Sequence, residues 1–312
     1  MILHRLQTRI DKHLRPNQNG FRPGRSTTSH ILALRRLLEG VKSHNLKAIA
    51  IFVDFQKAFD SVNRSQMFKI LLAYGIPRKL VDAIKKLYEN TRAKVLSPDG
   101  ETEFIDITTG VQQGDTLAPY LFAIVLDFAM RRAIDGHDLE LGFKLKRRTS
   151  SRTQSVTITD LDFADDIVLL TEEVHQAQQI LRSLEEEAKK IGLHLNNRKT
   201  EVMAFNHSDQ VSITTVLGSE VKTVNNFKYL GSWIESSEKD YEVRKALAWS
   251  VCNKMNKIWT SKLYRNIKER LFIATVETVL LYGSETWTIG KAMEKRIDGC
   301  YTRMLRKAMN IS

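Results

Sequence analysis

Cysteine is nearly absent from this chain: two residues, Cys252 and Cys300, in 312. They form no Cys-x-x-Cys pair and no Cys/His cluster, which argues against a disulfide-stapled scaffold and a zinc knuckle. Two free thiols in a reducing compartment are expected. Long apolar runs are missing as well. None reaches the roughly 18 residues of a membrane span, so no membrane partner is expected. The N-terminal Met1-Ile2-Leu3-His4-Arg5-Leu6 is too short and too polar for a signal peptide. There is no internal repeat and no low-complexity tract.

What remains is an ordinary globular composition with a basic bias. A chain of 312 residues, 42% hydrophobic, can build two or three subdomains with cores of their own. The net charge of +12 and the pI of about 9.6 favour a polyanionic partner bound through phosphate contacts, and equally serve solubility. The excess is concentrated at the C-terminal end, where residues 241–312 hold fourteen Lys/Arg against six Asp/Glu. Trp249, Trp259, Tyr264, Tyr282 and Trp287 are interleaved there. At helical spacing they read as core, with nucleic-acid contact as the other reading. The basic stretch from Lys144 to Arg152 reads as a solvated hairpin tip, with a nuclear signal or nucleic-acid contact as alternatives.

Periodicity sketches the elements. Residues 29–41 read as a helix with Ile31, Leu34 and Leu38 on one face, and 81–88 as another. Another helix, following the turn at Phe55–Asp60, should bury Met67, Ile70, Leu71 and Leu72. From Pro119 the pattern Leu121, Phe122, Ile124, Val125, Phe128, Ala129 is a buried helix with Pro in its first turn. Residues 172–191 are amphipathic, acidic at the start, basic at the end, and stop at Gly192. Short strands follow at 202–205 and within 227–233, and helices run from about 239 onward.

The most informative phrase is Phe163-Ala164-Asp165-Asp166. A run of β-formers leads in and Ile167-Val168-Leu169-Leu170 leads out, so the two carboxylates sit at a hairpin tip. Adjacent like charges repel, and such a tip calls for cations or for solvent. A second carboxylate, Asp54, ends the apolar run Ala48-Ile49-Ala50-Ile51-Phe52-Val53, the pattern of a strand buried on both faces. Asp54 reads either as a helix N-cap or as a metal ligand. Pairing the two segments would bring three carboxylates together, which suits a two-metal phosphoryl-transfer site.

Phe52-Val53-Asp54-Phe55-Gln56-Lys57-Ala58-Phe59-Asp60 and Phe163-Ala164-Asp165-Asp166 resemble motifs A and C of reverse transcriptases. Four more segments follow the same family order. The stretch from Asn17 through Gly20-Phe21-Arg22-Pro23-Gly24-Arg25 to Thr27 resembles the fingers motif. Gly110-Val111-Gln112-Gln113-Gly114-Asp115-Thr116-Leu117-Ala118-Pro119 resembles motif B, Leu193-His194-Leu195-Asn196-Asn197-Arg198-Lys199-Thr200-Glu201 motif D, and Phe227-Lys228-Tyr229-Leu230-Gly231 motif E. The wording is closest to non-LTR (LINE-type) retrotransposon enzymes. Retroviral enzymes usually carry Tyr where Phe163 stands, and group II intron enzymes a different phrase where Gln112-Gln113-Gly114-Asp115 stands.

This resemblance implies an α+β right-hand polymerase, with a ferredoxin-like palm sheet and a helical, basic C-terminal thumb. The divisions it implies are partial fingers at 1–47, palm at 48–65, fingers at 66–110, palm at 111–236 and thumb at 237–312. It implies an RNA-directed DNA polymerase using two Mg²⁺ ions, with Mn²⁺ as a substitute, held by Asp54, Asp165, Asp166 and the Phe55 backbone. Lys199 is the implied proton donor to pyrophosphate. Arg22, Arg25, Phe59, Gln113 and Gly114 would contact the dNTP, with the Phe59 ring excluding a ribose 2′-hydroxyl. Phe227, Lys228, Tyr229, Leu230 and Gly231 would position the primer. The implied partners are an RNA template, a DNA primer, dNTPs and an endonuclease located elsewhere in the element. The implied compartment is nucleus or cytoplasm. The family's earlier fingers segments are not present, so the alternatives are a truncated, inactive nucleic-acid-binding relic and a group II intron maturase-like RNA-binding protein.

Overall fold

The computed structural model describes residues 2–98, 100–136, 141–146, 155–207 and 211–311. They form two units, one of Met1–His30 with Glu39–Asn225 and one of Ile31–Leu38 with Asn226–Ser312.

In chain order the first unit's main elements begin with α1 (Ile2–Ile10), α2 (Thr27–Ser43, whose middle turns count with the second unit) and β1 (Ala48–Val53). Next come α3 (Arg64–Ala73), α4 (Arg78–Leu87), α5 (Ala118–Ile134), β2 (Asp160–Phe163) and β3 (Asp166–Thr171). The unit ends with α6 (Val174–Lys190), β4 (Glu201–Phe205) and β5 (Lys222–Thr223). The sheet order is β5-β4-β1-β3-β2, with β1 antiparallel to both β3 and β4. Setting β5 aside, the sequence β1-α5-β2-β3-α6-β4 with order 4-1-3-2 is the ferredoxin-like βαββαβ arrangement. All six residues of β1 are buried, as a central strand covered on both faces requires.

Helices α5 and α6 pack on each other, and α6 packs on β1 and β3. Helix α5 buries nearly its whole circumference, from Tyr120 and Phe122 to Met130 and Ile134. Helix α6 starts with a capping box: the Glu173 side chain accepts from the Gln176 backbone N–H, while Gln176 Oε1 accepts from Glu173 N at 3.0 Å. Helix α3 starts at an Asn63 cap and buries Met67, Ile70 and Leu71. Leu72, expected with them, is 44% exposed, because one further residue turns the side chain about 100° around the helix. The strand Phe143–Lys146 pairs with Val156–Ile158, and residues 147–152 of the basic stretch lie outside the described residues.

The second unit opens on a tight hairpin, Lys228–Tyr229 against Ser232–Trp233. It continues through α7 (Ser237–Lys254), α8 (Arg265–Phe272) and α9 (Lys291–Ala308). Trp259, Phe272, Leu280, Cys252 and Cys300 fill its core, and both cysteines are free. Buried Asp240 organises one end: it accepts from Arg35 at 3.0 Å, from the Trp287 indole at 2.9 Å and from Trp233 N at 3.2 Å. That network explains why residues 31–38 belong to this unit. Among the interleaved aromatics Trp259 and Trp287 are core, whereas Tyr264 is 79% exposed. Tyr264 stands just ahead of α8 rather than on its buried stripe. Among the described residues no helix is long and apolar enough to cross a membrane.

Candidate active site

The β1–β3 register brings the key carboxylates to one place. Val53 pairs with Ile167, so the next residue on each strand, Asp54 and Asp166, leave the sheet at the same end. Phe163 pairs with Asp166, leaving Ala164-Asp165 as a two-residue hairpin loop. Ala164 adopts φ +57°, the left-handed conformation that a turn of this length demands. Asp54 and Asp165 are half-buried and Asp166 is exposed.

These carboxylates feel one another. Asp165 is held above the usual carboxylate range by desolvation and by the charge of Asp54, against an opposing backbone hydrogen bond. Asp166 is pushed up to about 6 by desolvation, then by Asp165 and Asp54. Among the described residues, however, no three His, Cys, Asp or Glu side chains converge closely enough to hold a metal ion. The donor set itself consists of hard oxygens, the kind Mg²⁺ prefers.

Asp54 is anchored by the turn after α6. Asn196 N donates to the Asp54 carbonyl at 2.8 Å, and Asn196 Nδ2 to Asp54 Oδ2 at 2.8 Å. Asp54 N donates to Thr200 Oγ1 at 3.3 Å. Phe55 is bridged to Leu195, with the ladder bonds made by Asp54 and Gln56 on either side, so the Phe55 carbonyl is not used in that ladder. Lys199 is exposed in the same turn, its backbone N–H bonded to the Asn196 carbonyl at 3.0 Å.

The residues expected around the nucleotide fall into two groups. Half-buried Phe59 stacks on Phe122 with centroids 4.5 Å apart and meets the edge of Phe21 at 6.1 Å. Motif B is stitched to this region: Val111 N donates to the Phe59 carbonyl, Gly110 N to the Val62 carbonyl, both at 2.8 Å, and Gln113 Nε2 to Asp60 Oδ1 at 3.0 Å. Gly114 has φ +94° and open space around it, so its glycine answers a backbone need and no close contact. Arg25 is exposed. Arg22 differs from expectation. It is 7% exposed, and its guanidinium is spent on Asp11 Oδ1 at 2.8 Å and on the carbonyls of Arg15 and Gln18 at 2.9 Å each. A guanidinium so engaged ties the N-terminal segment together and has no free edge for a triphosphate.

The motif E hairpin, expected with the palm, clusters instead with the C-terminal helices. Leu230 and Gly231 form its turn at φ +47° and +83°. Tyr282 donates its hydroxyl to the Leu230 carbonyl at 2.9 Å, and Arg244 donates to the Gly231 carbonyl while lying over the Tyr282 ring. Phe227 is half-buried, Lys228 exposed and Tyr229 buried.

Asn196 is a site residue that the sequence motifs do not single out, although it lies inside the motif D phrase. Its only signal is position, immediately after a strand-like Leu-His-Leu in a chain that ends another strand on Asp54. Below the hairpin, Arg15 makes a two-pronged contact with Asp160 at 2.7 and 2.8 Å and a longer one with Asp162 at 3.5 Å. All three are buried. Asp162 is held well above the usual carboxylate range by burial and by Asp160, against the pull of Arg15.

Comparison with known proteins agrees with this geometry. A family model described as "Reverse transcriptase (RNA-dependent DNA polymerase)" matches residues 1–234. The Pol polyprotein of the type-1 retrotransposable element R2 from Popillia japonica is 26% identical over 292 residues, covering 91% of this chain and 45% of that protein. The corresponding polyprotein of the type-2 element R2DM from Drosophila melanogaster is 26% identical over 238 residues, 72% of this chain and 21% of that protein. The chain thus spans less than half the length of either relative. Among solved structures, telomerase from Candida tropicalis in complex with a TWJ fragment of telomeric RNA aligns with a TM-score of 0.50 at 12% identity, covering 96% of this chain and 56% of that one. That likeness speaks for the polymerase fold. With the family model matching three quarters of its length, and with the ferredoxin-like sheet carrying Asp54 and Asp165-Asp166 to one end, the chain belongs to the reverse transcriptase family.

Proposed function

We propose that this chain is the polymerase domain of a non-LTR retrotransposon protein, adding dNTPs to a DNA primer 3′-hydroxyl on an RNA template. One observation carries the reading: Asp54 and Asp166 stand on adjacent strands at one end of the sheet, beside Asp165, and burial together with the charge of neighbouring carboxylates raises the pKa values of Asp165 and Asp166. Asp54, Asp165, Asp166 and the Phe55 carbonyl would hold two Mg²⁺ ions, or Mn²⁺ in their place. Bound there, the metals would lower the pKa of the primer hydroxyl and neutralise charge on the triphosphate.

The rest of the machinery is this chain's own. Asn196 holds the Asp54 carboxylate by hydrogen bond. The Phe59 ring, backed by Phe122, excludes a ribose 2′-hydroxyl. Gln113, Gly114 and Arg25 border the nucleotide, and exposed Lys199 delivers a proton to the departing pyrophosphate. Residues 227–231 position the primer, and the basic helices of 237–312 serve as thumb. An endonuclease elsewhere in the element supplies the nick, and the work is done in the nucleus.

The test is extension of a labelled DNA primer on an RNA template with Mg²⁺ and dNTPs, by the parent and by Asp165→Asn. Extension by the parent alone is expected. Tight, salt-sensitive template binding with no extension would replace this reading with a nucleic-acid-binding relic. Extension by both would overturn the carboxylate assignment.

A further inference from the structure

The hairpin that carries Asp165 and Asp166 is gripped by a side chain far away in sequence. Residues 17–20 run alongside β2: Gln18 bridges Asp162 in parallel, Asn19 N donates to the Asp162 carbonyl at 2.8 Å, and Asp162 N to the Asn17 carbonyl at 3.1 Å. This carries the Gln18 side chain, 1% exposed, to the hairpin tip. Its Oε1 accepts from Ala164 N at 2.9 Å and from Gly20 N at 2.7 Å, and its Nε2 donates to the Ala164 carbonyl at 3.1 Å. Both peptide groups flanking Ala164 are therefore held by one amide. Two N–H donors face the oxygen and one carbonyl faces the nitrogen, so each end of the amide has its own partners.

The grip falls where the backbone is strained. Ala164 has φ +57°, a conformation that L residues with a Cβ avoid and that persists only when its surroundings impose it. The surroundings are tight: a Cβ on Gly20 would sit 2.1 Å from Ala164 N and 2.7 Å from its Cα. Asp165 is the other residue of the two-residue loop, so the direction of its carboxylate follows the Ala164 turn directly. A buried glutamine satisfied by chance neighbours would be expected to bond wherever polar groups happened to lie. This one closes on both sides of the single left-handed residue that aims the candidate metal ligands.

We infer that Gln18 is a positioning residue for the metal-binding hairpin: its amide locks the left-handed turn at Ala164 and so sets how Asp165 and Asp166 are presented beside Asp54. The inference rests on the catalytic reading above, and its test separates the two. Mn²⁺ binding to the protein is titrated by electron paramagnetic resonance, without nucleic acid or turnover, for the parent, Gln18→Leu and Asp165→Asn. Amide hydrogen exchange is followed in parallel.

Gln18→Leu should weaken Mn²⁺ binding at least fivefold. It should accelerate exchange of the Ala164 amide, whose N–H donates to Gln18 Oε1, at least tenfold while the β1 amides exchange as in the parent. Asp165→Asn should weaken Mn²⁺ binding more. If Asp165→Asn is weakened and Gln18→Leu binds as the parent does, the inference is overturned and the catalytic reading stands. If Asp165→Asn binds as the parent does, the metal assignment falls and the inference with it. A general loss of exchange protection in Gln18→Leu, without a change confined to residues 163–166, would make Gln18 merely structural. Should Gln18→Leu fail to fold, Gln18→Glu serves. It keeps the acceptor for Ala164 N and Gly20 N, loses the donor to the Ala164 carbonyl and sets a carboxyl oxygen against that carbonyl instead. Weaker Mn²⁺ binding with the Ala164 amide still protected is then expected, and Mn²⁺ binding as in the parent would overturn the inference.

Discussion

Asn196 Nδ2 donates to Asp54 Oδ2 at 2.8 Å, while the Asn196 backbone N–H closes on the Asp54 carbonyl at the same distance. One residue of the turn after α6 thereby holds both the main chain and the carboxylate of the residue that ends β1. A hydrogen bond to an ionised group is worth about 1.5–3 kcal/mol, with the lower end fitting a half-buried pair. Asn196→Ala should then slow primer extension roughly tenfold with a small loss of thermal stability. Asn196→Asp should be worse, since it places a further negative charge against Asp54. Steady-state kcat beside a melting curve for each variant tests both statements, and an Asn196→Asp enzyme as active as the parent would remove the assigned role.

The ion cluster under the hairpin is asymmetric. Arg15 is the buried cation in direct contact with two buried carboxylates, Asp160 and Asp162, and Asp162 Oδ1 makes no hydrogen bond. Removing the cation leaves uncompensated charge, so Arg15→Met should cost about 3–5 kcal/mol. Asp162→Asn should cost less than Arg15→Met, because burial and the charge of Asp160 already disfavour the ionised form of that carboxyl. Because folding raises the pKa of that carboxyl, its contribution to stability is lost as pH rises through its folded pKa. Denaturant midpoints measured for the two variants at two pH values check the contrast, which fails if Asp162→Asn is the more damaging.

Asp166 gives a pH dependence with a defined sign. Its pKa rises from 3.8 to about 6 on folding, so the folded state is penalised as pH climbs between those values and relieved below them. Asp166→Asn should therefore melt at a higher temperature than the parent at pH 7.5 and at the same temperature near pH 3.5. The residue is exposed, and screening holds the gain to about 1 kcal/mol or less. Metal binding needs the ionised carboxylates, so Mn²⁺ affinity of the parent should fall as pH drops through about 6. Calorimetry across this range, with and without Mn²⁺, measures both.

Phe59 lies flat on Phe122, and its carbonyl accepts from Val111 N of motif B. Phe59→Val should raise rNTP incorporation relative to dNTP by at least tenfold, since the smaller side chain leaves room for a 2′-hydroxyl. It should also lose about 1 kcal/mol of stability with the ring stack. Competition between rCTP and dCTP at a single template position reads the first effect, and an unchanged ratio would return Phe59 to the core.

Several of these residues are legible in the sequence itself. The apolar run ending in Asp54 and the hairpin frame around Asp165-Asp166 are patterns of period and punctuation, and such patterns survive into the fold because they concern burial and turns. Arg22 is not legible. An arginine in a glycine-rich motif reads as a phosphate ligand until Asp11 and the carbonyls of Arg15 and Gln18 close around it, and only tertiary structure brings those together. Asn196 and Gln18 are hidden for a related reason: in sequence an amide in a turn looks like turn chemistry, whatever it reaches across the fold. Tyr264 and Trp259 show the same limit for aromatics. Five residues apart, one is 79% exposed and the other fully buried, Trp259 ending one short helix and Tyr264 standing just ahead of the next.

Two glycines of motif B separate backbone strain from packing. Gly110 and Gly114 both have positive φ, +78° and +94°. A Cβ at Gly110 would lie 2.6 Å from the Asp60 Cα and carbonyl oxygen, whereas at Gly114 it would meet nothing within 4 Å. Gly114→Ala should cost only the strain of a left-handed alanine, about 1–2 kcal/mol. Gly110→Ala adds a collision with main chain that cannot swing aside. It must push Asp60 away and with it the bonds from Val111 N to the Phe59 carbonyl and from Arg64 Nε to the Gly110 carbonyl. Its cost should exceed that of Gly114→Ala by about 2 kcal/mol or more. Because the displaced segment carries Phe59 and the Asp60 partner of Gln113, Gly110→Ala should also raise the KM for dNTP in whatever fraction still folds. Equal melting temperatures for the two variants would mean that Asp60 moves freely, and that motif B docks on motif A more softly than their close contacts imply.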